Sequence, residues 1–214
     1  MKKQAEERIS ELIARYPRLS NLDDQLKQSV EQLIHCYSLG NKIMVCGNGG
    51  SAADALHIVG ELMKAFACKR RISKEWQIKF NELPDGEYIS QNLQMALPAI
   101  SLVNEAGLLT AYANDVAPDM NFAQQVFGQG NAGDVLIAIS TSGNSENVLY
   151  AAEVAKAKSI QVIGLTGQSG GKLKDYADLL INVPETETFK VQELHLPVYH
   201  ALCLAVEAEF YSEV

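Results

Sequence analysis

His57 and Glu61 are spaced i,i+4, which puts both side chains on one face of a helix. An imidazole and a carboxylate so placed can share a metal, or the carboxylate can act as a base. Asp54 lies on the same face. Such pairs also serve as plain surface or packing features, so the company they keep decides. Ser140, Thr141, Ser142 and Ser145 form a hydroxyl-rich turn with Gly143 and Asn144. Hydroxyls and backbone N–H groups at a helix start make a site for a phosphate dianion, helped by the helix dipole. The same residue types also cap helices. A second turn, Gly47-Asn48-Gly49-Gly50-Ser51, precedes the His57 helix. It is not a GxGxxG fingerprint and lacks a P-loop lysine, which argues against dinucleotides and nucleoside triphosphates. Near the C-terminus stand Gln192, Glu193, His195 and His200. Taken singly, each histidine there reads as structural.

These groups need a frame. Apolar runs at 42–46, 99–103, 135–140, 161–166 and 179–183 are nearly continuous in Ile, Val, Leu and Ala. That pattern marks strands covered on both faces. Helical periodicity lies between most of them and predicts a parallel sheet with helices on both sides. Ligands of such sheets bind at the carboxyl ends of the strands, where both Gly/Ser turns fall. Two helices precede the first strand, over 6–16 and from 22 to Gly40. A long apolar helix closes the chain over 189–211 and contains Pro197, which should kink it. Residues 69–97 are long and polar for a strand-to-strand link, and they hold the single tryptophan. Trp76, Ile78, Phe80 and Leu83 predict that this segment packs against the domain or a neighbouring subunit, beside the substrate entrance.

The composition limits the function classes. With 214 residues and 47% apolar content, one domain with a sizeable core is expected. A formal charge of -8 and no basic stripe argue against nucleic acid as the main partner. The 4 cysteines are scattered without CxxC spacing, which suits a reducing cytoplasm better than a disulfide framework. No signal peptide opens the chain, and no apolar run is long enough to cross a bilayer.

Taken in order, CGNGGSAADALH, ANDVAPDMNFAQQV, GDVLIAISTSGNSENV, LTGQSGGKL and VQELHLPVYH resemble the SIS (sugar isomerase) domain. Within it they resemble the sedoheptulose 7-phosphate isomerase, or phosphoheptose isomerase, family. The resemblance spans nearly the whole chain and implies a single SIS domain over 1–214. Residues 1–40 are then N-terminal helices and 69–97 an insertion. The implied fold is three-layer αβα, with a five-stranded parallel sheet and a long C-terminal helix.

The resemblance makes Asn48, Gly49, Gly50 and Ser51 a sugar-binding turn, with Asn114 and Asp115 as further contacts. It makes Ser140, Thr141, Ser142 and Ser145 the phosphate cradle. Glu61 matches the catalytic carboxylate and His200 the catalytic histidine. His57, Glu61, Gln192 and His200 match a zinc-holding set, one zinc per subunit. On a straight helix Gln192 and His200 lie about 12 Å apart, so a shared metal requires a kink or a neighbouring subunit. Ala65 replaces the family's arginine one turn after Glu61, with Lys64, Lys69, Arg70 and Arg71 as substitutes nearby. The insertion exceeds a simple link by roughly 20–25 residues.

By the same resemblance the chain forms a homotetramer with active sites at subunit interfaces. It converts a ketose phosphate to an aldose phosphate for lipopolysaccharide or another surface glycan. A second reading is a non-catalytic sugar-phosphate sensor or replication-initiator-binding regulator. Retention of Glu61 and His200 favours the enzyme. A third reading keeps the chemistry on a different phosphosugar.

Overall fold

Alternate residues of each central strand enter opposite apolar layers. Ile43, Val45, Ile137, Ile139, Ile163, Leu165 and Ile181 join one buried cluster, and Met44, Cys46, Leu136, Ala138 and Val162 join another. This period of two is what a sheet covered on both faces requires. The computed structural model describes residues 1–212. In chain order, α1 (Lys3–Arg15), a 3₁₀ turn (Pro17–Leu22) and α2 (Asp23–Ser38) lead into β1 (Ile43–Cys46) and α3 (Gly50–Met63). The segment after α3 carries α4 (Lys74–Asn81) and α5 (Gly86–Asn92) before β2 (Ala99–Ser101). Then follow α6 (Ala106–Asp115), α7 (Asn121–Gln129), β3 (Val135–Ser140), α8 (Glu146–Ala157) and β4 (Gln161–Thr166). A 3₁₀ turn (Gly171–Asp175), β5 (Leu179–Asn182) and α9 (Thr188–Tyr211) complete the described chain.

All strand pairings are parallel, and the 5-stranded sheet has the order β2-β1-β3-β4-β5. Helices α1, α2, α3 and α9 cover one face, and α7 and α8 the other. The chain leaves β1 toward one edge and returns through β3 toward the other, so a crevice opens between the ends of these two strands. The turn after β1 and the turn after β3 are the two Gly/Ser-rich segments.

Helix α9 continues unbroken through Pro197. Residues 69–97 form a helical excursion closed by an antiparallel bridge between Arg71 and Gln94. The expected apolar anchors are not what holds it. Trp76 stacks on Phe80 at 5.7 Å, but Trp76, Ile78 and Leu83 stay exposed, and α4 buries no residue. Ile72 and Leu97 are buried at its ends, and Arg70 is wholly buried.

Arg70 explains the attachment. Its Nε donates to Glu207 Oε1 at 2.7 Å, and its two terminal nitrogens donate to the carbonyls of Leu62 and Glu61 at 2.5 and 3.1 Å. Glu207 also accepts from the backbone N–H groups of Phe66, Ala67 and Cys68 at 2.7, 2.6 and 3.0 Å. Helix α3 is thereby capped at its C-terminal end and fastened to α9. Burial opposes ionisation of Glu207, yet these N–H groups and the guanidinium outweigh it and hold its pKa below the ordinary value.

Glu207→Gln leaves a buried guanidinium unpaired and is expected to lower unfolding stability by about 3–5 kcal/mol in urea titrations. Because the folded pKa is depressed, the Glu207 contribution is present above the ordinary glutamate pKa. It is lost as pH falls through the folded value. The variant's deficit relative to the parent should therefore shrink in acid, and a pH-independent deficit would contradict this origin.

Candidate active site

Residues from both Gly/Ser turns and from the start of α9 enclose a cavity of about 330 Å³ at the β1/β3 crevice. Its walls include Asn48, Gly49, Gly50 and Ser51 on one side and Ser140, Thr141 and Ser145 on the other. Thr188 and Gln192 of α9 close it. Gly49 has φ 56°, the left-handed conformation that lets the backbone turn directly into α3. Ser140 Oγ lies 3.0 Å from Ser145 Oγ, so the end of β3 and the start of α8 offer paired hydroxyls. Ser142 instead accepts from Asn144 N at 3.2 Å and is exposed, outside the cavity lining. Asn48 and Asn147 exchange side-chain amide hydrogen bonds of 2.8 and 2.9 Å, tying the first turn to α8. Among the described residues, no charged side chain lines this cavity. It can hold an anion only through hydroxyls, amides and the N-terminal dipoles of α3 and α8.

A second group lies farther along α3, against α9. Glu61 is 9% exposed, with Oε1 3.3 Å from His57 Nε2 and Oε2 2.5 Å from Lys64 Nζ. His200 Nε2 lies 3.4 Å from the same His57 nitrogen. The structure thus brings Glu61, His57 and His200 together from helices far apart in sequence. Burial pushes the His200 pKa down, and the neighbouring His57 adds to this, while Glu61 opposes it. Lys64 is the cation at Glu61. Arg70, by contrast, is the buried clamp described above.

The other candidates fall elsewhere. Gln192 packs against Gly50, where a Cβ would come 2.5 Å from its Nε2, and it lines the phosphate-sized cavity. It is therefore separated from His200 along α9. Asn114 and Asp115 end α6, bonded to each other at 2.8 Å, and are absent from the cavity lining. His195 is wholly buried with Nε2 3.2 Å from the Thr166 carbonyl, and burial pushes its pKa down to about 4. It is a neutral core residue. Sequence reasoning did not single out Thr188 or Asn147. Position at a helix start was the available signal for Thr188.

The donor set can be tested against zinc. A tetrahedral zinc with bonds of about 2.0–2.1 Å to nitrogen has ligand-to-ligand edges of roughly 3.3–3.4 Å. The His57–His200 and His57–Glu61 separations of 3.4 and 3.3 Å fit such edges, and the donor types suit zinc. Among the described residues, no three His, Cys, Asp or Glu side chains gather into a complete metal-holding group. The fit is thus one of edges and chemistry, without Gln192.

The chain matches the SIS domain over residues 8–92 and 86–167, and it belongs to that family. It is 42% identical to a phosphoheptose isomerase of Thiobacillus denitrificans over 190 residues, 87% of this chain and 84% of that one. It is 44% identical to a phosphoheptose isomerase of Rhodospirillum rubrum over 168 residues, 78% of this chain and 77% of that one. The solved phosphoheptose isomerase of Neisseria gonorrhoeae superposes with TM-score 0.72 at 34% identity, covering 94% of this chain and 98% of that one. That of Francisella tularensis gives 0.74 at 32% identity, covering 92% of each. Within the SIS family, the chain is an enzyme of the phosphoheptose isomerase group.

If the Ser140–Ser145 pair holds phosphate, the double alanine variant should weaken phosphosugar binding by about 1.5–3 kcal/mol per lost hydrogen bond, read by calorimetry. Unchanged affinity with an intact fold would reduce the pair to helix capping.

Proposed function

We propose that the protein interconverts sedoheptulose 7-phosphate and D-glycero-D-manno-heptose 7-phosphate through an enediolate. One observation carries the mechanism: a buried carboxylate and a half-buried imidazole flank a common nitrogen, His57 Nε2. Glu61 takes a proton from C1 of the ketose and returns it to C2. His200 serves the oxygens, moving a proton between O1 and O2 as the carbonyl changes place. A carboxylate base with a neutral imidazole is a workable division of labour for such an isomerisation. The cavity of Asn48, Gly49, Gly50, Ser51, Ser140, Thr141 and Ser145 holds the phosphate end, and Gln192 and Thr188 contact the sugar chain.

The proposal includes zinc, with His57, Glu61 and His200 as ligands; Gln192, held at the phosphate cavity of its own chain, would join such a metal only from a neighbouring subunit. When bound, zinc would stabilise negative charge developing on the substrate oxygens. It also includes a homotetramer with active sites at subunit interfaces. Exposed Trp76, Ile78, Tyr88, Val116 and Phe127 support association, as does α6, which buries no residue within its own chain. Further parts of the reading are a cytoplasmic setting and a product that feeds surface-glycan synthesis. Among the described residues, no helix is long and apolar enough to cross a membrane.

The direct test is incubation with sedoheptulose 7-phosphate, following the aldose product with and without chelator. Turnover is expected, and Glu61→Gln should reduce kcat by about 10²–10⁴-fold while altering substrate affinity much less. Binding without turnover on any ketose phosphate, with zinc supplied, would overturn the enzyme in favour of a sensor. Elemental analysis should find about one zinc per chain, and full activity of metal-free protein would remove zinc from the mechanism.

A further inference from the structure

Tyr199 immediately precedes His200 in α9, and its ring packs edge-on against both His57 and His200, with centroids 5.5 and 5.0 Å away. It is 2% exposed. Its hydroxyl makes two contacts, one to Asp54 Oδ1 at 3.2 Å and one to His57 Nδ1 at 3.0 Å. Asp54 Oδ2 is buried and has no hydrogen-bond partner. A file therefore runs from Asp54 through Tyr199 to the side of the His57 ring opposite Glu61 and His200.

We propose that Tyr199 is a positioning residue that fixes His57 in its Nδ1–H tautomer by relaying the Asp54 carboxylate, so that Nε2 is presented bare as a metal ligand.

A carboxylate only accepts, and a phenol has a single proton. Tyr199 gives that proton to Asp54, which leaves a lone pair for His57. Nδ1 must then carry its own hydrogen and donate it. A free histidine side chain in water prefers the opposite tautomer, with the proton on Nε2. The relay therefore imposes the form that a ligand to zinc at Nε2 needs. Outer partners of this kind orient metal-binding imidazoles generally.

Simple packing accounts for the ring of Tyr199 but not for its hydroxyl. Phenylalanine would fill the same space without requiring a carboxylate to be withdrawn from water. Burial pushes the Asp54 pKa up, and the Tyr199 hydrogen bond and the nearby His57 oppose that rise. A half-buried carboxylate with one idle oxygen is thus retained where its reachable partner is the hydroxyl that touches a site residue. The relay joins α3 to itself through α9, since Asp54 and His57 both lie on α3. Tyr199 therefore also sets where the His57 ring stands relative to His200 on its own helix.

This inference deepens the zinc reading above and rests on it, but its test does not require turnover. Full-length, ¹⁵N-labelled protein is treated with chelator and held near neutral pH, and the ring nitrogens of its histidines are read in long-range ¹⁵N–¹H spectra. The chain has 4 histidines, so loss of signals in His57→Gln assigns His57. The parent should show a protonated Nδ1, with Nε2 bare once zinc is restored, since without metal Glu61 Oε1, 3.3 Å away, can hold a second proton there. In Tyr199→Phe the His57 signals should move toward the Nε2–H form, and zinc affinity, read by chelator competition, should fall about 10–100-fold.

Asp54→Asn serves if Tyr199→Phe does not fold. Its amide can donate to the Tyr199 oxygen and release the phenol proton toward Nδ1, so it too should shift the tautomer. A parent with its proton on Nε2 and none on Nδ1 overturns the proposal, as does unchanged ring protonation in the folded variants. A parent with the expected tautomer that binds no zinc retains the relay and removes only the metal role of Nε2.

Discussion

The geometry of the acid–base group depends on the buried ion pair between Arg70 and Glu207. Glu61 and His200 sit on different helices, and nothing in either helix alone fixes their separation. Arg70 caps the last carbonyls of α3, including that of Glu61 itself, while its partner Glu207 belongs to α9. Glu207 follows His200 by about two helical turns, so the clamp and the catalytic imidazole share a stretch of one rigid rod. Desolvating two charges is expensive, and it is tolerable here because the carboxylate and guanidinium are met by backbone groups as well as by each other. Those same backbone groups belong to the turn that must leave α3 abruptly. The ion pair thus satisfies the turn, ends the helix and aligns the site with one set of bonds.

The cavity follows a different rule. An acidic protein binds a phosphate most readily where charge is irrelevant at long range and geometry governs at short range. The lining offers hydroxyls, amides and helix N-termini, without a lysine or arginine. Such neutral donors depend on close approach and orientation, so they discriminate by shape more than by net charge. The acid–base group has its cation, Lys64, on the carboxylate rather than among the phosphate-binding residues. Anion recognition and proton transfer therefore occupy opposite parts of α3.

Local chemistry made much of this legible in the sequence. The runs 135–140 and 161–166 are β3 and β4 to the residue, because continuous apolar character bounded by turn residues leaves little choice. The Gly/Ser turns reached the cavity because strand ends in a parallel sheet have a predictable use. What stayed hidden depended on partners distant in the chain. Arg70 read as a possible site cation, since nothing near it announces Glu207. Tyr199 was not singled out within the apolar run of α9, because Asp54 is 145 residues away. Gln192 and His200 read as a joint ligand set by resemblance, while α9 directs them to separate places. The anchors of 69–97 do not pack on their own domain: Trp76 and Phe80 stack on one another, and within the chain the segment is held by Arg70, Ile72 and Leu97 instead.

The reciprocal amide pair of Asn48 and Asn147 has a consequence for how a ligand is received. It joins the turn after β1 to the helix after β3, on the two sides of the crevice. Left untied, each turn would lose conformational freedom at the moment of encounter, and that loss would subtract from affinity. Tied, the ordering is completed when the chain folds, and the incoming phosphate meets a vessel whose shape is already set. Preorganisation of this kind favours an encounter that resembles seating more than grasping.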